Sequence, residues 1–227
     1  HAQFADERSD FVLVLNLWRA SREPAAGGTR TLRHWCRENF LSFLRMREWA
    51  DLREQLADMS QPLTRGERKP AAAGVETTGK ATRKEGAGEV PTSVLHQTLL
   101  TGLLGGIGVL DEARTYLGAR DARFVIAPGT PVQKRSPHWI VAASLVETHR
   151  LYARMVAQVQ PSWIESAGAH LVRRTYGDAE WDASKGLAFA RETVTLYGRV
   201  LSSGRQVNFA AIDPAHMFAL VYKGRVI

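Results

Sequence analysis

One cysteine, Cys36, leaves this 227-residue chain without an intrachain disulfide framework. A lone thiol suits a reducing, cytoplasmic setting. Long apolar runs are also missing. Residues 11–18 are apolar but short and broken by Asn16, and residues 98–110 hold four glycines. A helical membrane span needs about 20 apolar residues, so no membrane partner is expected. No charged-then-apolar signal segment opens the chain. The seven histidines form no metal-spaced pair and Cys36 has no second thiol nearby, so no metal site is expected.

Catalytic motifs are scarce too. Residues 74–81, Gly-Val-Glu-Thr-Thr-Gly-Lys-Ala, nearly fit a phosphate-binding loop, but Ala81 stands where a hydroxyl should hold Mg²⁺ and no apolar strand precedes them. Gly102, Gly105, Gly106 and Gly108 miss the dinucleotide spacing and read as close packing or a helix end. Cys36 would need a base to act as a nucleophile, and His34, two residues earlier, faces another side of a helix. A buried structural thiol is expected instead. No carboxylate couple or nucleophile elbow occurs, so the catalytic set is empty.

What is present is positive charge: 30 Lys+Arg against 23 Asp+Glu, a net +7. That balance favours a polyanionic partner without determining a fold. A chain of this length buries roughly 70% of its extendable surface and needs no metal or disulfide to hold a core.

The order of elements reads as α+β. Ser9 or Asp10 can cap a first helix through Phe11, Val14, Leu15 and Trp18, ended by Pro24 and Gly27-Gly28. A second helix follows Thr31. A third spans residues 39–58, with Leu41, Leu44, Trp49, Leu52 and Leu56 in one stripe and Arg45 placed to pair with Glu48. Residues 61–92 are so poor in large apolar side chains that they read as a disordered insertion. A helix from Thr92 through Val94, Leu95, Leu99 and Leu103 leads to a compact barrel over residues 116–159. That barrel contains strand-like runs at 123–127, 139–146 and 151–156 and an irregular cationic loop at 130–137. A closing helix over 162–173 and two strands, 187–197 and 200–209 about a Gly198 turn, complete the reading. Ile212-Asp213-Pro214 starts a last helix or turn.

Basic side chains gather around the barrel. Arg120, Arg123, Lys134 and Arg135 flank one strand pair and its loop, and Arg173 and Arg174 close the following helix. Five-stranded barrels of the OB type bind single strands with such loops, cations taking phosphates and flat side chains stacking on bases. Trp139 and His138 are the stacking candidates, although a Trp that opens an apolar strand usually packs inward.

Several ordered motifs carry a family resemblance. His1-x-x-Phe4, Ser9-Asp10, Leu15-Asn16-Leu17-Trp18, Trp35-Cys36-x-Glu38-Asn39-Phe40-Leu41 and Arg47-x-x-x-Asp51-Leu52-Arg53-x-Gln55-Leu56 resemble the ratchet-like helicase-associated domain of DEAH/RHA helicases. Gly118 to Gly129, Pro137-x-Trp139-Ile140-Val141, Leu145-Val146-Glu147-Thr148, Arg150-Leu151-Tyr152-Ala153-Arg154 and Pro161-x-Trp163-Ile164 resemble the OB-fold that follows it. Tyr197-Gly198, Val207-Asn208-Phe209 and Ile212-Asp213-Pro214 are similar to the bacterial HrpA branch.

The resemblance implies four parts. Residues 1–60 would be a partial ratchet-like domain and 61–92 the insertion. Residues 93–178 would form the OB-fold with flanking helices, and 179–227 a hairpin-containing extension. It implies a piece of a cytoplasmic ATP-dependent RNA helicase, an NTP hydrolase whose RecA-like domains, with their ATP and Mg²⁺, lie outside this chain. The chain itself would bind no cofactor and be inactive alone. Its partners would be single-stranded RNA, with DNA as a second polyanion, and the RecA-like domains. The expected contacts are Arg47, Arg53, Arg120, Arg123, Lys134, Arg135, Arg173 and Arg174. A competing expectation is a docking module for an adaptor or for the ATPase core. An independent hydrolytic activity is the third and weakest.

Overall fold

The computed structural model describes residues 2–66, 91–182, 187–209 and 212. Residues 67–90 of the expected insertion, with the near-miss phosphate loop at 74–81 inside it, and residues 213–214 of the last expected helix or turn lie outside them. The chain divides into two units, His1–Phe4 with Val14–Glu89, and Ala5–Leu13 with Val90–Ile227.

The first unit is helical. Helix α1 (Asp10–Ala26) starts where Ser9 caps it, its hydroxyl accepting the Val12 N–H at 3.2 Å. Such a side-chain oxygen satisfies one of the four orphan donors at a helix start. Pro24 lies inside the helix rather than ending it; the end comes at Gly27-Gly28, with Gly28 at φ 93°. Helix α2 (Thr29–Glu38) and helix α3 (Phe43–Gly66) follow. Helix α3 begins and ends later than its sequence pattern suggested, taking in residues 61–66 of the expected disordered insertion. Phe4 and Trp35 meet at 6.1 Å, Trp18 and Trp49 at 5.0 Å, and Cys36 and Met46 are buried. Burial raises the Cys36 thiol pKa, so this is the inert thiol expected. Arg45 pairs with Glu48 at 3.0 Å. The α3 stripe, however, is not packed away: Leu44, Leu52, Leu56 and Met59 are all more than half exposed.

After Ala5–Leu13, the second unit continues with helix α4 (Thr92–Leu103), as the apolar spacing predicts. A closed five-stranded barrel follows, built from β1 (Ile107–Leu110), β2 (Thr115–Leu117), β3 (Arg123–Ile126), β4 (Trp139–Glu147) and β5 (Leu151–Gln158), in the order β1-β2-β3-β5-β4. Only the β3–β5 pair is parallel. The barrel therefore starts earlier than Tyr116, because the glycine-rich stretch contains its first strand. Gly106 and Gly108 are required there: a Cβ on Gly106 would sit 2.2 Å from the Ala142 carbonyl oxygen, and one on Gly108 2.5 Å from the Phe124 ring.

The expected irregular loop is partly a helix, α5 (Pro131–Arg135). Thr130 accepts the Gln133 N–H at 3.3 Å, Pro131 occupies the first turn and Ser136 ends it in the left-handed region. A capping hydroxyl followed by proline is a helix start, and the short run of cations concealed it. Helix α6 (Pro161–Ala167) stops well short of residue 173. Gly168 takes over there, and Arg173 and Arg174 lie instead in strand β6 (Arg173–Tyr176).

Strand β6 and strand β7 (Glu180–Asp182) both pair with β8 (Leu187–Leu196), whose other edge pairs with β9 (Arg199–Asn208). The β8–β9 hairpin turns at Tyr197-Gly198, close to expectation. Ile212 lies in a turn, its N–H donating to the Phe209 carbonyl at 2.9 Å.

Two apolar clusters explain why β4 reads as a run rather than an alternation. Ile140 and Ala142 face the barrel interior with Tyr116, Phe124, Ile126, Ala153 and Val156. Trp139 and Val141 face a second cluster with Leu100, Leu104, Ile164, Val194 and Leu196. A strand covered on both sides loses its polar face. Burial of apolar surface contributes roughly 25 cal/mol per Å², so both clusters stabilise this unit.

Candidate nucleic-acid interface

The hairpin between β1 and β2 carries the first cation that sequence reasoning missed. Thr115 N–H donates to the Glu112 carbonyl at 3.0 Å, closing a turn whose central residues, Ala113 and Arg114, have φ of 50° and 62°. Two positive φ values make a turn of the kind that normally takes Asn-Gly. Non-glycine residues held there cost roughly 1 kcal/mol or more each, and such strain concentrates at functional sites.

Across from it, the β4–β5 connection carries His149 and Arg150 and is closed by the Thr148 N–H donating to the Arg150 carbonyl at 3.0 Å. Arg114 and Arg150 both line a pocket of about 270 Å³ together with Tyr116, Gln133, Ser136 and Tyr152. Neither arginine has a carboxylate within 4 Å among the described residues. The Tyr116 phenol donates to the Pro137 carbonyl at 2.9 Å, and burial pushes its pKa up to about 12. That hydroxyl stays neutral and braces the barrel wall.

A second, larger and more apolar pocket of about 640 Å³ lies on the other side of Tyr152, lined among others by Leu13, Pro128, His149, Tyr152, Arg154 and Met155. The Tyr152 hydroxyl and His149 Nε2 are 2.8 Å apart and the two rings meet edge to face. Asp10 also lines this pocket, but its carboxylate is occupied, accepting the Val156 N–H at 2.9 Å. Burial raises the Asp10 pKa, partly offset by that hydrogen bond.

The residues named from sequence fall into three groups. Arg47, Arg120, Lys134 and Arg173 are exposed and have no ion pair among the described residues. Arg53 lies 5.5 Å over the Trp18 ring, and Arg123 stands 3.7 Å from Asp111. Arg135 and Arg174 are committed to carboxylates. Arg135 bonds Glu7 at 2.6 Å. Arg174 bonds Glu165 at 2.8 Å and Glu192 at 3.3 Å.

Arg205 completes that last cluster, also bonding both glutamates. Burial alone would raise the pKa of Glu192; the hydrogen bonds from Arg205 and Arg174 outweigh it and hold that carboxyl below its ordinary value. Glu165 is lowered chiefly by the hydrogen bond from Arg205. Of the two stacking candidates, Trp139 is buried in the core and offers no face, while His138 is exposed.

Two absences concern the described residues alone. They contain no group of three His, Cys, Asp or Glu able to hold a metal, and no helix long and apolar enough to cross a membrane. The Ser9 hydroxyl does sit 2.7 Å from His96 Nε2. Both residues are almost wholly buried and Ser9 caps α1, so the pair joins elements rather than meeting a substrate.

The signal for the missed residues was local. Tyr152 and Arg154 alternate along β5, which puts them on one face, and Arg150 stands just before the strand. The role of Arg114 could not be read without β1, because no hairpin existed to hold it.

Comparison with known proteins agrees with this fold. A family model for the oligonucleotide/oligosaccharide-binding (OB)-fold matches residues 95–171, the α4-to-α6 stretch that contains the closed barrel. The chain is 39% identical over 94% of its length to "ATP-dependent RNA helicase HrpA homolog" of Haemophilus influenzae. It is 37% identical over 95% of its length to "ATP-dependent RNA helicase HrpA" of Escherichia coli. A human protein, "Probable ATP-dependent RNA helicase DHX35", is 22% identical over 77% of the chain and is covered over 22% of its own length. A solved structure, the E. coli DExH-box NTPase HrpB, overlays 51% of this chain and 15% of its own at 16% identity, with a TM-score of 0.36 too low to bear on the assignment. The chain spans 15% of the length of each HrpA relative. With its OB barrel, preceding helices and following strands, this chain belongs to the HrpA-type DEAH helicase family, whose C-terminal auxiliary region it matches.

Proposed function

We propose that this chain is the part of an ATP-dependent RNA helicase that grips single-stranded RNA while RecA-like domains elsewhere in the parent protein hydrolyse ATP. The observation that carries the reading is the pair Arg114 and Arg150, two arginines on opposing loops that share one pocket and have no carboxylate within 4 Å among the described residues. Uncompensated like charges brought together invite an anion, and OB barrels take oligonucleotides at these two loops. Lys134, exposed at the end of α5, extends the positive surface beside Gln133 of the same pocket. On this reading Arg47, Arg120 and Arg173 are further exposed cations available to a strand, and DNA is a second substrate class.

Backbone contact is tolerant of sequence and sensitive to salt, log K falling by about 0.7 per phosphate neutralised on a single strand. The test is a titration of fluorescent single-stranded RNA into the protein, with a duplex of the same length as control. Tighter binding to the single strand is expected, and tighter binding to the duplex would contradict the grip.

A docking role is favoured by one observation in the helical unit. The exposed row Leu44, Leu52, Leu56 and Met59 on α3 is apolar surface of the kind that marks protein contacts. The two roles can coexist, the helical unit docking and the barrel holding RNA.

A further inference from the structure

Left-handed backbone is concentrated around the two pockets that flank Tyr152. Among the described residues, eight non-glycine positions have positive φ, and four of them line these pockets: Ala113, Arg114 and Ser136 the smaller, Met155 the larger. Met155 is the unusual one. It lies within strand β5 at φ 53°, between Arg154 and Val156, which keep their pairing to Ser144 and Ala142 in unbroken register. A methionine held in that region inside a strand is strained by roughly 1–3 kcal/mol, and such positions persist where the surroundings over-determine them. The Asp10 carboxylate is one such constraint, accepting the N–H of the next residue, Val156.

The chemistry of the larger pocket differs from that of its neighbour. Leu13, Pro128 and Met155 give it apolar walls, Tyr152 and His149 supply two rings fixed to each other by a 2.8 Å hydrogen bond, and Arg154 supplies a cation. Its ~640 Å³ exceeds what a single nucleobase fills, and it is open to solvent. A thioether and locked aromatic rings suit a flat, polarisable, uncharged group. Tyr152 lines both pockets, so whatever enters one is within a side chain's width of the other.

We propose that the groove lined by Tyr152, His149 and Met155 receives one unstacked nucleobase, while Arg154 and the Arg114–Arg150 pair hold phosphates of the same strand on either side of it. This rests on the RNA-gripping function above and adds a base subsite to it. The barrel then holds the strand by one base as well as by charge, a detent against slippage that salt does not screen. Recognition is through the face of the base and its apolar surroundings, so purines and pyrimidines both enter.

The experiment uses two fluorescein-labelled ten-nucleotide probes on the unaltered protein at low salt, oligo(U) and its fully abasic ribose-phosphate counterpart. Both carry the same charge. Stacking on aromatic side chains is worth about 1–3 kcal/mol per base, so the abasic strand should bind about 5- to 150-fold more weakly. Met155→Gly, which tolerates positive φ, should shrink that gap at least threefold by removing a wall without opposing the backbone. Equal affinity of the two probes overturns the base subsite and leaves the phosphate grip standing, as does a gap that Met155→Gly leaves unchanged. Failure of both probes to bind overturns the gripping function and the subsite with it.

Discussion

Two arginine clusters in the barrel-bearing unit look alike in composition and differ in what surrounds them. At the barrel mouth, Arg114 and Arg150 have no carboxylate within 4 Å among the described residues, although Asp111 and Glu112 share the Arg114 loop. At the C-terminal sheet, Arg174 and Arg205 are locked by Glu165 and Glu192. The second cluster exists because Glu192 falls on the inward face of β8, between Ala190 and Val194 in a strict alternation, where an unpaired carboxylate would be untenable. Its arginines answer a need of the fold. The first pair answers no such need, and Arg114 is held there by a strained turn. Positive charge marks a binding surface only where the protein has not already neutralised it.

The comparison breaks most visibly at Glu192. Glu192→Gln leaves two arginines facing one remaining glutamate across α6, β6 and β9, and should lower stability by about 2–3 kcal/mol, less than a fully buried pair because both arginines are partly exposed. RNA affinity should stay within twofold, since nothing at the mouth changes. Thermal melts with a parallel binding titration read both. The same cluster fixes a pH response. Glu165 and Glu192 have folded pKa values below their ordinary value of 4.5, so their stabilisation is present above that value and is lost as pH falls through the folded values. Glu192→Gln should flatten the acid limb of a stability-versus-pH curve.

Arg114→Glu with Arg150→Glu is the converse. Affinity for single-stranded RNA should fall by roughly 10- to 100-fold at low salt, with the melting temperature nearly unchanged, because one like-charged pair replaces another across the pocket. A large loss of stability would mean these arginines hold the fold. A milder sharpening comes from Ala113→Asn with Arg114→Gly, which installs the pair that this turn prefers. Stability should rise by about 1 kcal/mol while binding weakens several-fold. The smallest effect belongs to Arg135→Ala: its guanidinium is already taken up by Glu7 on the surface, so both affinity and stability should move by less than about 0.5 kcal/mol.

Burial and pairing are what the sequence could not display. Apolar spacing placed α4 and the β8–β9 hairpin closely, because each is set by residues a few positions apart. It misplaced the start of the barrel, since Ile107 to Leu110 is a strand only once Phe124 and Ala142 close over Gly106 and Gly108. It drew Arg173 and Arg174 into a helix that Gly168 ends, and it counted Arg135 and Arg174 as free because Glu7, Glu165 and Glu192 lie 128, 9 and 18 residues away. The fold family was legible through ordered motifs spread over the chain. The candidate site was legible only as a region, its residues being selected by a hairpin turn and a strand face that appear when the barrel closes.

The most direct measurement is the salt dependence of single-stranded RNA binding for the unaltered protein and for Arg114→Glu/Arg150→Glu. If both arginines neutralise phosphates, the slope of log K against log salt should become shallower by about 1.4, twice the single-strand value per phosphate. An unchanged slope would place the phosphate contacts elsewhere and contradict the account.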